Sequence, residues 1–332
     1  MDVPGWVWGA TIAVLVGVLA VDVFVIGRRP HEPSMRECAI AISIFIGLAV
    51  VFGIGVFVFA GAEYAGEFYA GWLTEYSLSI DNLFVFVIIM AKFQVPRVYQ
   101  QTALLVGIIL ALVMRGIFIA LGAAAIQNFS WVFYIFGAFL IYTAVKLATQ
   151  GELGAEDYEE NRLLKWVERR FPATQEWHGV KLFARVDGKR VITPMLIVIL
   201  ALGTTDLLFA LDSIPAIYGL TQEPYLVFTA NVFALMGLRQ LYFLIGGLLQ
   251  RLVYLSLGLS VVLGFIGVKL VFEALRENQI SWINDGEHIE AIPEIPIWLS
   301  LAFIIGTLAV TTVASLVKVR RDAASGQDGS EG

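Results

Sequence analysis

The chain has 332 residues, of which 58% are hydrophobic and only 15% charged, with a mean hydropathy of +0.80 and a formal net charge of −6. That balance excludes a soluble globular protein and a nucleic-acid-binding module, and it calls for a lipid bilayer as solvent. A single cysteine, Cys38, excludes an intrachain disulfide and any cysteine-based metal cluster.

Apolar runs of about 20 residues, the length that crosses a hydrocarbon core about 30 Å thick, recur along the whole chain. The period-two alternation of an outer-membrane barrel is missing from the sequence. The predicted fold is therefore all-α and polytopic, with nine transmembrane helices near 6–27, 39–62, 70–91, 101–123, 129–149, 193–218, 226–248, 253–276 and 296–317. Before the first run there is no basic residue, and the first basic pair, Arg28-Arg29, follows it. That run reads as a retained helix rather than a cleaved signal peptide.

Loop charge sets the orientation. Alternate loops carry Arg28, Arg29 and Arg36, then Lys92 and Arg97, then a basic group from Arg162 to Arg190, then Arg251, and finally Lys318, Arg320 and Arg321. The opposite loops carry Glu63, Glu67, Glu223, Asp285, Glu287, Glu290 and Glu294, with Arg276 at a helix end. By the positive-inside rule the N-terminus is outside and the C-terminus cytoplasmic. The largest loop, 150–192, is cytoplasmic; it is predicted to hold a surface helix at 156–171 and a hairpin over 183–191 turning at Asp187-Gly188. The loop at 277–295 is acidic and external, and the tail beyond 318 reads as disordered from Asp322.

Two of the apolar runs carry matching acidic segments. In the third run, Thr74, Glu75, Asp81 and Asn82 align with Thr205, Asp206, Asp212 and Ser213 of the sixth. The helix after each segment holds an arginine, Arg115 or Arg239, and the next holds Val-Lys-Leu, ending in Lys146-Leu147 or Lys269-Leu270. Each unit is thus a three-helix set, over 70–149 and 193–276. The odd separation of the two sets makes them an inverted-topology 3+3 repeat, a common build of secondary transporters with substrate held at the midplane. Residues 1–69 add two helices before the repeats, and 277–317 add the acidic loop and ninth helix.

An ionisable side chain at the centre of a membrane helix costs roughly 2.5–3.5 kcal/mol on insertion scales, so Glu75, Asp81, Asp206 and Asp212 need a reason. One reading is a single cation site. Four ionised carboxylates against Arg115 and Arg239 leave a charge that one divalent ion matches. His31, His178 and His288 all lie in loops, so the interior offers oxygen ligands, which suit Mn²⁺, Ca²⁺ or Mg²⁺ over Zn²⁺ or Cu⁺. Ser77, Ser79, Asn82, Thr205 and Ser213 are candidate minor ligands, and Asp22 could join them from the first helix or face Arg28 instead. Arg115 and Arg239 then serve as counter-charges of the empty site. The other reading pairs the carboxylates with those arginines as buried structural bridges. Asp206 and Asp212 lie about 240° apart around a straight helix, so a shared ion needs a distortion, and Pro215 predicts a break near 211–215.

The segments Glu75–Phe86 and Thr205–Ala216, extended by Gly237–Phe243 and Phe265–Leu270, resemble the signature segments of the TerC/Alx family. The likeness covers most of the chain from about residue 10 to residue 317. It implies an integral membrane protein of the bacterial inner membrane, named for tellurium resistance, with Mn²⁺ export in characterised members and carboxylates in the matching positions. It implies no enzyme activity and no resident cofactor, with Mn²⁺ or another hard divalent ion such as Ca²⁺ as transported substrate. Partners beyond the ion and the bilayer, including a homo-oligomer, are left open. Two other classes compete: a membrane assembly, secretion-supporting or tellurium-resistance protein without transport of its own, and an intramembrane aspartyl protease using Asp81 and Asp212. The protease leaves Glu75, Asp206 and the paired arginines without a task.

The loop charges generate a first prediction. A reporter fused after Lys181 is expected in the cytoplasm and one at Asp285 outside; both on one side would undo the inverted repeat.

Overall fold

The computed structural model describes residues 3–28, 34–129, 131–150, 172–174, 176–186, 189–245, 254–276, 289, 292–293 and 295–327. The order of elements is α1 (Gly5–Arg28), α2 (Met35–Ala60), α3 (Ala62–Lys92), α4 (Arg97–Asn128), α5 (Val132–Gln150), β1 (Phe183–Val186), β2 (Lys189–Ile192), α6 (Pro194–Tyr218), α7 (Pro224–Leu235), α8 (Leu238–Ile245), α9 (Leu255–Arg276) and α10 (Ile297–Gln327). Among the described residues, α2, α3, α4, α5, the α7–α8 pair, α9 and α10 are long and apolar enough to cross a membrane, which makes seven candidate spans. Shorter apolar stretches lie in α1 (Gly5–Val18) and α6 (Pro194–Leu207). The protein is a polytopic helical membrane protein.

Local chemistry starts these helices where the sequence offers caps. Ser34 and Glu37 form a reciprocal capping box at the head of α2, with bonds of 2.9 and 3.2 Å. Pro194 and Pro224 open α6 and α7 at a position whose N–H would be unsatisfied in any case.

Packing interleaves α3–α5 with α6–α9. α3 lies mainly against α7, with α2, α6 and α10 next, α4 lies against α6 and α7, and the most extensive pairing among the described residues is α5 with α9. α7 is buried all round, from Tyr225 to Leu235 apart from Phe228, so it shows no polar face. α2 and α10 lie at the periphery and bury little of their length. Small residues let α5 and α9 touch backbone to backbone. A methyl added at Gly137 would stand 2.9 Å from the Gly267 carbonyl oxygen, and one at Gly267 would stand 3.0 Å from the Gly137 carbonyl oxygen.

The structure corrects the sequence at several points. α6 runs unbroken through Pro215 to Tyr218. The proline sits in the final turn and leaves the Leu211 carbonyl without its intrahelical donor, yet the Pro215 carbonyl still accepts from Gly219 N–H at 3.0 Å and the helix closes normally behind it. The interruption falls instead at Met236-Gly237, between α7 and α8, where Gly237 adopts φ +81° and its neighbour Met236 is extended. α10 continues past Lys318 to Gln327, so the segment expected to be disordered from Asp322 is helical as far as Gln327. The hairpin forms as the sequence predicts, with Val186 opposite Lys189 across the turn. The helix expected at 156–171 lies outside the described residues.

The α5–α9 crossing yields a second prediction. Gly137→Ala or Gly267→Ala is expected to destabilise the protein by about 1–3 kcal/mol, the usual cost of overpacking, seen as a lower melting temperature in detergent. Gly264→Ala, whose methyl would meet only the Ala144 Cβ at 3.6 Å, is the tolerated control.

Candidate functional site

At the centre of the interleaved helices a guanidinium sits between two carboxylates. Arg115 of α4 is 1% exposed, and its Nη1 donates to Glu75 Oε2 of α3 at 2.6 Å. Its Nε and Nη2 donate to Asp206 Oδ2 and Oδ1 of α6 at 3.1 and 3.2 Å, a fork-to-fork pair. Nη1 also reaches Ser213 Oγ at 3.4 Å and Asn231 Oδ1 at 3.3 Å. Glu75 and Asp206 are themselves 0% and 1% exposed. One arginine thus ties α3, α4, α6 and α7 together.

Backbone packing places these groups. α4 and α6 approach through small residues, since a methyl on Gly203 would overlap the Leu110 side chain and one on Gly107 would crowd Leu202. Asp206 lies one turn beyond Gly203, and Arg115 two turns beyond Gly107. Two apolar clusters flank the trio. Tyr76, next to Glu75, packs against both of them, and so does Leu112, three residues before Arg115.

Several polar atoms around the trio are buried without a hydrogen-bond partner among the described residues: Glu75 Oε1, Thr74 Oγ1, Ser79 Oγ and Asn231 Nδ2. Such atoms cost free energy and point to a role or an occupant. Among the candidate minor ligands, Ser213 reaches the trio, and Ser79, Asn82 and Thr205 are buried. Ser77 instead turns back to the Leu73 carbonyl at 2.7 Å. The side chains of Asp81, Asp212 and Asp22 lie outside the described residues, and no group of three or more His, Cys, Asp or Glu suited to a metal occurs among the described ones. Arg239, on α8, is buried and lies within electrostatic range of Cys38 on α2. The described ion pairs of Glu75 and Asp206 go to Arg115. Asn231 is a site residue the sequence reading missed; its one signal was an amide inside the apolar run Phe228–Leu235.

A second feature lies at the acidic end of the bundle. A cavity of about 280 Å³ is lined by Glu63, Glu67, Glu223, Glu273 and Lys269 beside the α6–α7 connection. Thr221 Oγ1 donates to Glu67 Oε2 at 2.5 Å. Glu67 precedes Glu75 by about 12 Å along the axis of α3.

Comparison with known proteins places these residues in context. The family model described as integral membrane protein TerC family matches residues 60–323. The chain is 48% identical over 323 residues to an uncharacterized membrane protein of Mycobacterium tuberculosis, covering 96% of this chain and 81% of that one. It is 41% identical over 243 residues to a chloroplastic thylakoid membrane protein TERC of Arabidopsis thaliana, covering 73% and 63%. It is 34% identical over 327 residues to a putative membrane-bound redox modulator, Alx, of Escherichia coli K12, covering 95% and 96%. No solved structure matches.

The trio makes a third prediction. Arg115→Leu leaves Glu75 and Asp206 buried without their partner, at a cost of roughly 3–5 kcal/mol, and membrane abundance is expected to collapse. Adding Glu75→Gln and Asp206→Asn removes the stranded charges and is expected to recover a large part of it, measured by quantitative immunoblot.

Proposed function

The chain belongs to the TerC family, and from that premise we propose that it is a membrane transporter exporting a hard divalent cation, Mn²⁺ first, through carboxylates in its interior. The observation that carries this reading is the fully buried Glu75–Arg115–Asp206 trio, with aligned positions of the two repeats meeting on one cation. Intramembrane carboxylates facing a bundle interior mark ion pathways by default. Here the guanidinium stands where a metal ion would compete for the same oxygens. A divalent ion entering between Glu75 and Asp206 displaces Arg115 as their partner.

Charge supports the same reading. With Glu75 and Asp206 ionised, the trio carries one excess negative charge; Asp81 and Asp212, about one and two-thirds turns further along α3 and α6, bring two more. The ligands on offer are oxygens, which fits a hard ion. The acidic cavity near Glu67 gives a cation a low-energy station at one end of α3. Nine crossings, with the N-terminus outside the inner membrane of a bacterium and the C-terminus cytoplasmic, belong to this reading. α1 to α6, the α7–α8 pair, α9 and α10 supply the segments. The exchange of partners between the helix sets, α3 on α7 and α4 on α6, is the pattern an inverted repeat generates, because swapping the two sets leaves it unchanged.

A second reading rests on the same geometry. A saturated buried bridge stabilises a fold without moving an ion, and a membrane assembly or tellurium-resistance role would need no more of it. A redox role like that in one relative's name finds a single cysteine here, which cannot cycle a disulfide within one chain. Transport needs no covalent chemistry, and we assign the chain no enzyme activity and no resident cofactor.

The deciding measurement pairs abundance with flux. Asp81→Asn and Asp212→Asn keep side-chain size and remove a charge; hydrogen bonds to charged groups contribute about 1.5–3 kcal/mol, so a drop in Mn²⁺ efflux of about tenfold or more is expected at normal membrane abundance. Efflux retained by both variants at normal abundance sinks the ion site. Relief of zinc or copper stress without relief of manganese stress would overturn the choice of metal.

A further inference from the structure

At the opposite end of the bundle from the acidic cavity, the β1–β2 hairpin carries positive charge in an arrangement the fold does not explain. Arg185 and Arg190 are paired directly opposite each other across the ladder. Like charges in that position are destabilising, because opposite residues on one face of a hairpin stand side by side. Phe183 shares their face, and the Arg190 guanidinium lies 4.3 Å from its ring centroid. The two arginines, with Lys181, His178, Phe183 and Ala184, line a cavity of about 580 Å³ with no acidic side chain among the described residues of its wall. His178 Nε2 is buried there with no hydrogen-bond partner among the described residues. Neither arginine has a salt bridge among the described residues; Asp187 lies outside them.

The hairpin is also fixed at the membrane boundary. β2 leads into α6 through Thr193, whose hydroxyl donates to the Lys181 carbonyl at 2.5 Å and whose N–H donates to the Leu182 carbonyl at 3.2 Å. Pro172 and Thr174 bond the Ile192 backbone at 2.9 and 3.0 Å. Trp177 packs on Tyr99 in the first turn of α4, with ring centroids 5.9 Å apart, and such aromatic pairs sit at the headgroup level. The cationic cavity is therefore tied by backbone bonds to the start of α6, at the bundle end where α4 begins.

We propose that this cavity binds an anionic phosphate group, held by Arg185 and Arg190 with Lys181 and His178 beside it. Guanidinium forks match phosphate oxygens two at a time, and an anion between the arginines turns their mutual repulsion into a shared attraction. At this depth the nearest abundant source is the headgroup of an acidic phospholipid; a soluble phosphate offers the same chemistry.

The test uses the full chain purified in detergent, with Arg185→Gln/Arg190→Gln as its partner. Binding of dioctanoyl phosphatidylglycerol, dioctanoyl phosphatidylcholine and inorganic phosphate is followed by native mass spectrometry and by the shift in melting temperature. The wild type is expected to bind phosphatidylglycerol saturably, phosphatidylcholine weakly, and the double variant to bind phosphatidylglycerol at least about tenfold more weakly. Inorganic phosphate bound as tightly as phosphatidylglycerol, and lost in the same variant, assigns the site to a soluble ligand. The ligand-free double variant is expected to melt no lower than the wild type, because it loses a like-charge pair. A clearly lower melting temperature without ligand makes the arginines structural and overturns the proposal, as does equal binding of every probe to both proteins.

Discussion

Placing Glu75, Arg115 and Asp206 in an apolar interior removes charged groups from water, and each pays a desolvation penalty of several kcal/mol. They are tolerable only together. The guanidinium fork on Asp206 and the 2.6 Å contact to Glu75 return Coulomb energy that is strong in low dielectric, and Ser213 Oγ and Asn231 Oδ1 share the second hydrogen of Nη1. That demand dictates the architecture. α3 and α4 follow each other in the chain, yet each packs chiefly on helices of the other set, and Arg115 closes the distance between them. Any rearrangement that separates α3 from α6 must give the arginine another partner or bring in another cation. The trio is therefore a lock whose key has to be positively charged.

The polar atoms left over make the same point from the other side. A purely structural bridge in a membrane core is stable when every lone pair and proton is satisfied. Glu75 Oε1, Thr74 Oγ1, Ser79 Oγ and Asn231 Nδ2 are not satisfied among the described residues, and three of the four belong to the same short stretch of α3. A helix carrying that much uncompensated polarity is poised for more than one set of partners. Under the proposed transport function, these atoms are the ones that a second arrangement of the bundle would have to satisfy.

Much of this was legible in the sequence, and the failures have physical causes. Apolar run length located the helices because the bilayer fixes a minimum span, and the paired acidic segments located Glu75 and Asp206 because charge in such runs is expensive. The helix break was misplaced. Pro215 is the stronger breaker by chemistry, but it sits in the final turn of α6, whereas Gly237 interrupts a run, Phe233–Leu238, that looks uniformly apolar. The repeat also suggested that Arg115 and Arg239 play equal parts. Sequence symmetry does not fix side-chain partners: the positive φ at Gly237 starts a new helix before Arg239 and sets it beside α2, near Cys38, while α4 runs unbroken through Arg115 and carries it into the centre. Asn231 escaped notice because a neutral amide barely perturbs hydropathy, although its carbonyl oxygen meets the buried guanidinium.

The two ends of the molecule complete the electrostatic picture. Glutamates surround a cavity where α3 begins, α6 ends and α7 begins, and arginines face a cavity at the hairpin that leads into α6. A cation is attracted to the first and repelled by the second, so an unscreened hairpin would oppose its approach from that side. An anion seated between Arg185 and Arg190 removes the opposition. The same hairpin is bonded through Thr193 and Ile192 to the first turn of α6, the helix that carries Asp206 and Asp212. Whatever settles the charge on the hairpin thus acts on the field met by a cation on that side and, through a short backbone connection, on the helix that carries Asp206.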